Sequence, residues 1–161
     1  MKLGFVSAIL DKYTFEQMID FAAEKKFQCV EAACWPKGTA ERRYAGVTHI
    51  DVEEVDDQKA EYILAYCKER GVEISSLAFY PNMLDADMEK RNENIEHLKK
   101  VIRVSSKLGI NMVTTFIGRN QDKNVEENLD EVAEVWLPII RLAEKMKVRV
   151  GIENCPMLFS A

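Results

Sequence analysis

Apolar and polar positions recur along the chain in a fixed order. Four times a charged stretch with helical periodicity closes on a short basic turn and gives way to a compact apolar run, over residues 29–35, 72–80, 110–117 and 148–153. The turns centre on Phe27, Gly71, Gly109 and Lys147, spaced by 44, 38 and 38 residues. A spacing of that size is the length of one repeated supersecondary unit. The apolar runs are rich in Val, Ile, Phe and Thr and do not alternate strictly, which predicts strands covered by helices on both faces or by a barrel interior. With residues 3–8 they make five strands.

The stretches between them carry helix-start signals. Thr14 is followed three residues on by Gln17, Asp56 and Asp57 precede an apolar pattern, Asp87 opens a long one, and Asn124 is followed by Glu127. Pro138 is expected to kink the fourth helix or divide it in two. The pattern is β(αβ)4, a parallel α/β chain of five strands and four main helices. Helix-to-strand turns are short, whereas the strand-to-helix connections at 9–13, 36–55, 81–86 and 118–123 are longer. Short connections at one end and long ones at the other suit a (β/α) barrel of TIM type, here incomplete, with its chemistry at the carboxyl ends of the strands. A doubly wound open sheet would place a site at the same ends. No Gly-rich fingerprint follows the first strand, so neither a dinucleotide nor a P-loop reading is supported.

Composition narrows the class. The 161 residues are 47% hydrophobic and 30% charged with a net charge of −5, enough for one packed core and without the clustered basic face of a nucleic-acid binder. No stretch approaches the roughly 18 apolar residues of a membrane span, and residues 1–5 do not open a signal-peptide core, so a cytoplasmic protein with no membrane contact is expected. Cys29, Cys34, Cys67 and Cys155 have no zinc-type spacing and read as mostly buried free thiols.

Several residues could carry chemistry. Glu153 emerges at the end of the fifth strand, where a carboxylate must be solvated, paired or bound to a metal; it is either a reactive group or a strand-exit residue meeting solvent. The loop over residues 35–52 is long for a compact domain and carries Trp35, Lys37, Arg42, Arg43 and His49, a set suited to stacking on a polar ligand and pairing with an anion, or to a solvated loop balancing nearby acids. Glu31 lies partway along the second strand and requires a partner. Asn82, after the third strand, suits sugar hydroxyls or a turn. His97, on a polar helical stretch, is expected at the surface.

Taken together, Val30-Glu31, Trp35-Pro36, the segment from Tyr44 through His49 to Asp51, Tyr80-Pro81-Asn82 and Gly151-Ile152-Glu153-Asn154-Cys155-Pro156 resemble the xylose isomerase-like TIM barrels that include sugar phosphate isomerases and epimerases. The resemblance runs through the whole chain in order. It implies that residues 1–161 are the N-terminal portion of one (β/α)8-type barrel domain. It implies a metal-dependent sugar or sugar-phosphate isomerase or epimerase working through an enediolate, with Mn2+, Mg2+, Co2+ or Zn2+ as the cofactor and a carbohydrate as the substrate. Glu153 then falls on the first metal ligand and also exchanges a proton with the substrate, while His49, Asn82, Glu31 and Trp35 fall where the sugar is contacted. Four units and one strand supply one of the expected ligands, so activity is expected of the full barrel and not of this portion alone. Two other readings stay open: an endonuclease-type phosphodiester hydrolase of the same superfamily, and a non-catalytic half-barrel whose open edges form a homo-oligomer or bind a partner.

Overall fold

Each helix begins where its sequence offers a side-chain oxygen to the unpaired N–H groups of a first turn. The computed structural model describes residues 1–38 and 45–153; Arg42, Arg43, Tyr44 and Cys155 lie outside the described residues. Thr14 and Gln17 form a reciprocal capping box at the start of α1 (Phe15–Glu24), and Asn124 and Glu127 form another at the start of α4 (Val125–Met146). The Asp56 carboxylate accepts from the Lys59 N–H at the start of α2 (Asp57–Arg70), and Asp87 accepts from Glu89 and Lys90 at the start of α3 (Met88–Lys107). Each such cap contributes about 1 kcal/mol.

The helices alternate with β1 (Gly4–Val6), β2 (Cys29–Ala33), β3 (Glu73–Ala78), β4 (Met112–Thr115) and β5 (Arg149–Ile152), and a 3-10 turn over Ser7–Ile9 follows β1. All four strand pairings are parallel and the sheet order is β1-β2-β3-β4-β5. A doubly wound sheet reverses its strand order at a switch point. This order never reverses and is that of a barrel wall. The fold is therefore α/β, a partial (β/α) barrel.

The basic turns are built alike. Lys26, Gly71, Gly109 and Lys147 each adopt a left-handed conformation, with φ of 61°, 66°, 66° and 57°. In each case the next N–H reaches back five residues: Phe27 to the Ala22 carbonyl, Val72 to Cys67, Ile110 to Ser105 and Val148 to Ala143, at 2.9, 3.1, 2.9 and 2.9 Å. This is the bond that closes a Schellman-type helix end. It reverses the chain within two or three residues, hence the short lower connections.

One face of the sheet carries the core. Val30 and Ala32 of β2, Leu77 of β3 and Val113 of β4 pack in one cluster with Met18 and Ile19 of α1, Ile63 of α2, Leu98, Val101 and Ile102 of α3, and Ile139 of α4. β3 meets this face with a spacing that simple alternation forbids, because Ile74 and Leu77 both pack there. A register shift resolves it: Val30 pairs with Ile74 but Glu31 pairs with Ser76, leaving Ser75 as the extra residue, its hydroxyl donating to the Val30 carbonyl at 3.1 Å. Such a bulge re-aims the side chains that follow it. Ser76, Ala78 and Tyr80 thereby fall on the face away from the helices.

One expectation narrows and another changes. Of the two outcomes expected at Pro138, division is excluded, since α4 runs continuously from Val125 to Met146 through it. Pro138 and Glu134, whose carbonyl loses its partner, are both exposed, so water can satisfy the orphan, and buried Trp136 and Ile139 hold the helix on either side. His97, expected at the surface, is only 7% exposed. It sits beside Leu98 on the buried side of α3 and donates from Nε2 to the Cys34 carbonyl at 2.7 Å, a polar partner that its own helix pattern does not reveal. Cys34 and Cys67 are buried free thiols and Cys29 is half-buried; burial pushes the Cys67 thiol up to about 11. Among the described residues, no helix is long and apolar enough to cross a membrane.

Lys26 and Lys147 are exposed and hold a conformation that a side chain disfavours. Lys147→Gly is expected to raise the unfolding free energy by roughly 0.5–1 kcal/mol in urea titrations. A loss of stability would contradict the assigned turn.

Candidate active site at the carboxyl ends of the strands

The helix-free face carries a polar group at its upper end. Glu31 is half-buried, and both of its carboxylate oxygens accept hydroxyl hydrogen bonds: Oε2 from Ser76 Oγ at 2.7 Å and Oε1 from Tyr80 Oη at 2.5 Å. The first follows from register, since Glu31 lies opposite Ser76. The second follows from alternation past the bulge, which returns Tyr80 to the same face two residues beyond Ala78. Tyr80 Oη also lies 2.9 Å from Glu153 Oε1. Glu153 stands one residue past β5, its N–H donating to the Thr115 carbonyl at 2.9 Å, so its backbone extends the pairing with β4 while its side chain is exposed.

One phenol therefore joins carboxylates from β2 and β5. Burial, followed by the Glu31 hydrogen bond, pushes the Tyr80 hydroxyl well above its ordinary range, against a smaller opposing effect of the Thr114 hydroxyl. Tyr80 remains a neutral donor at any physiological pH. Its ring packs on Phe116, centroids 4.7 Å apart.

The remaining candidates belong to neighbouring networks. His49 is 6% exposed. Its Nε2 contacts the Leu10 carbonyl at 3.2 Å, which can only accept, so Nε2 carries the proton and Nδ1 accepts from Ser7 Oγ at 2.9 Å. Ser7 Oγ accepts in turn from the Ala33 N–H. The neutral ring thus ties the ends of β1 and β2 to the long loop. Asn82 staples two upper loops: Nδ2 donates to the Arg119 carbonyl at 2.8 Å, and Oδ1 accepts from the N–H groups of Arg119 and Leu84 at 2.8 and 3.1 Å. A Cβ on Gly118, at φ +91°, would come within 2.7 Å of Asn82 Oδ1, so only glycine permits this approach. Trp35 packs edge-on against Phe79 at 5.0 Å, and Phe79 packs against His97 at 4.5 Å. Lys37 is spent on Asp51 and Glu54, at 2.9 and 2.6 Å.

Glu31 and Glu153 are thus brought together, while His49, Asn82 and Trp35 are held in separate sets of contacts. The sequence assigns no role to Ser76, and Tyr80 enters only within the Tyr80-Pro81-Asn82 motif. The available signal was the pair Ile74 and Leu77, three apart in a strand, which implies a bulge and hence the side on which Tyr80 emerges.

The family model for the xylose isomerase-like TIM barrel matches residues 19–161. The chain belongs to this family. The barrel fold is shared with a putative xylose isomerase from Rhodospirillum rubrum at TM-score 0.72 and 15% identity, over 98% of this chain and 55% of that one. A D-psicose 3-epimerase from Clostridium cellulolyticum, solved with D-tagatose, matches at TM-score 0.68 and 14% identity, over 94% and 52% of the two chains. The IolI protein with a zinc atom matches at TM-score 0.64 and 18% identity, over 94% and 51%. The chain spans about half the length of these structures, and at such identities the likeness shows the fold alone. No curated protein matches the sequence.

In this xylose isomerase-like barrel the donor chemistry fits a hard cation in part. A divalent ion of that kind takes oxygen ligands, commonly six or more. Glu153 offers a carboxylate at a strand end, exposed, with Oε1 against Tyr80. No group of three or more His, Cys, Asp or Glu side chains placed to hold a metal ion occurs among the described residues; Glu153 offers one oxygen donor of the several that such an ion takes.

Burial lowers the pKa of both His49 and His97 below the ordinary 6.5. The unfolded chain then takes up protons first, so the stability held by the neutral rings is complete above about pH 6.5 and is lost as pH falls below it, at up to about 1.4 kcal/mol per unit for each ring. In urea titrations at about pH 7.5 and about pH 5.5, His97→Gln is expected to shrink the difference between the two conditions. An undiminished difference would contradict the neutral assignment.

Proposed function

We propose that residues 1–161 form the N-terminal portion of a single (β/α)8-type barrel that isomerises or epimerises a sugar or sugar phosphate with a divalent metal ion, and that Glu153 is both a metal ligand and the carboxylate exchanging a proton with the substrate. The observation that carries this reading is Glu153 itself: an exposed carboxylate at the carboxyl end of β5, on the helix-free side, connected through Tyr80 to Glu31. Family membership supports the fold it requires, and the ligands of similar structures, D-tagatose in one and a zinc atom in another, support the substrate and cofactor classes. The outer flank also suits continuation of the barrel, since β5 ends the sheet and Leu137 and Ile140 on α4 and Ile152 on β5 are 51%, 38% and 43% exposed.

The bound ion would supply polarisation of the substrate carbonyl. Glu153 takes the proton from the carbon beside that carbonyl, giving an enediolate; isomerisation follows when Glu153 returns the proton to the neighbouring carbon, and epimerisation when a second acid on the opposite face protonates the same carbon. Glu31, held by Ser76 and Tyr80, supplies a fixed negative wall that accepts hydrogen bonds from sugar hydroxyls. Asn82 would meet substrate through the Nδ2 hydrogen that its bond to Arg119 leaves over, and His49 and Trp35 shape the rim from behind.

The test uses the whole protein with Mn2+ and a panel of ketoses, ketose phosphates and aldoses in D2O. Deuterium is expected to enter at the carbon beside the carbonyl, and Glu153→Gln is expected to slow this at least about 100-fold while the melting curve is unchanged. No exchange across the panel, or full exchange in Glu153→Gln, would overturn the reading.

A further inference from the structure

We infer that Tyr80 is the positioning residue for Glu153, fixing that carboxylate at the end of β5 through a hydroxyl that is itself anchored on Glu31. This rests on the reading of Glu153 above and adds a residue on a different strand. Glu153 lies one residue beyond β5, and its side chain is exposed. A carboxylate on such a strand end is free to rotate, and each frozen torsion must be provided by a neighbour. Tyr80 is placed to do this. Its ring is fixed against Phe116, its hydroxyl is 2.5 Å from Glu31 Oε1, and Glu31 is pinned by Ser76 at its other oxygen. From that anchored point the hydroxyl reaches Glu153 Oε1 at 2.9 Å.

The hydroxyl has one proton and two carboxylate acceptors. It can donate to only one at a time, so the two carboxylates share a single donor. Rotation about the phenol C–O bond redirects the proton to Glu153 with no movement of the ring. One oxygen of Glu153 is thus held on the barrel wall and the other is left to face the substrate side. The contact costs little when Glu153 changes partner, because Glu31 is always available to receive the hydroxyl. A group that orients a ligating or proton-transferring carboxylate in this way typically accounts for a 10- to 100-fold effect, of order 10 to 100 in metal affinity or rate.

The decisive variant is Tyr80→Phe in the whole protein, which keeps the ring and removes the hydroxyl. It is measured beside Glu153→Gln in two ways: Mn2+ affinity from the free-ion electron paramagnetic resonance signal with the metal alone, and kcat and KM for a ketose that the wild-type protein deuterates. The expected result for Tyr80→Phe is a Mn2+ dissociation constant raised about 10-fold and a kcat lowered about 10- to 100-fold, with KM within about 3-fold and an unchanged melting curve. If Glu153→Gln loses activity and metal affinity while Tyr80→Phe matches the wild type in both, the positioning role is overturned and the role of Glu153 stands. If Glu153→Gln itself behaves as the wild type, the reading of the site falls, and the positioning role with it. If Tyr80→Phe lowers the melting temperature in proportion to its other losses, the hydroxyl is merely structural and the inference is overturned.

Discussion

The arrangement of the site depends on one extra residue in β3. A strand has a period of two, and a shift of one residue sends every following side chain to the opposite face. Ile74 and Leu77 are three apart and both pack against the helices, so the chain must absorb a residue between them, and it does so where Val30 and Glu31 pair across to Ile74 and Ser76. Without that bulge, a strand in register with Ile74 would turn Ser76 and Tyr80 toward the hydrophobic layer. Glu31 would then face the other side of the sheet with neither hydroxyl, at the cost of a part-buried carboxylate without donors. The polar chemistry of one face and the apolar packing of the other are set by the same irregularity.

Around this point the upper ends of the strands are tied by neutral groups. His49 and His97 each donate to a backbone carbonyl, and Asn82 serves two loops at once. His97 thereby pairs the Cys34 carbonyl and Asn82 the Arg119 and Leu84 N–H groups, while His49 adds a second donor to the Leu10 carbonyl, which already accepts from the Tyr13 N–H. The carboxylates Glu31 and Glu153 are left as the charged groups that the helix-free face presents around Tyr80. The neutral rim holds the strand ends on which those two carboxylates are carried.

Much of the fold was legible before any coordinates. The left-handed turns at Gly71 and Gly109 leave a glycine in the sequence, and the same turns at Lys26 and Lys147 are readable only because they recur at the unit spacing. The capping boxes at Thr14 and Asn124 are local and were read directly. What was not legible depended on partners distant in sequence. His97 looks like a surface residue because its neighbours on α3 are polar, and its acceptor is the carbonyl of Cys34, sixty-three positions away. The position of Glu31 partway along β2 calls for a partner, but that the partners are Ser76 and Tyr80 follows only from the bulge in β3. Pro138 suggested a break because the helix rule is local, whereas the burial of Trp136 and Ile139 is not.

The most direct measurement is a crystal structure of the whole protein with Mn2+ bound. The expected result is that one oxygen of Glu153 ligates the ion while the other remains within about 3 Å of Tyr80 Oη, with Tyr80 still against Glu31. A structure in which Glu153 lies away from the ion, or in which Tyr80 turns to the helix side of the sheet, would contradict it.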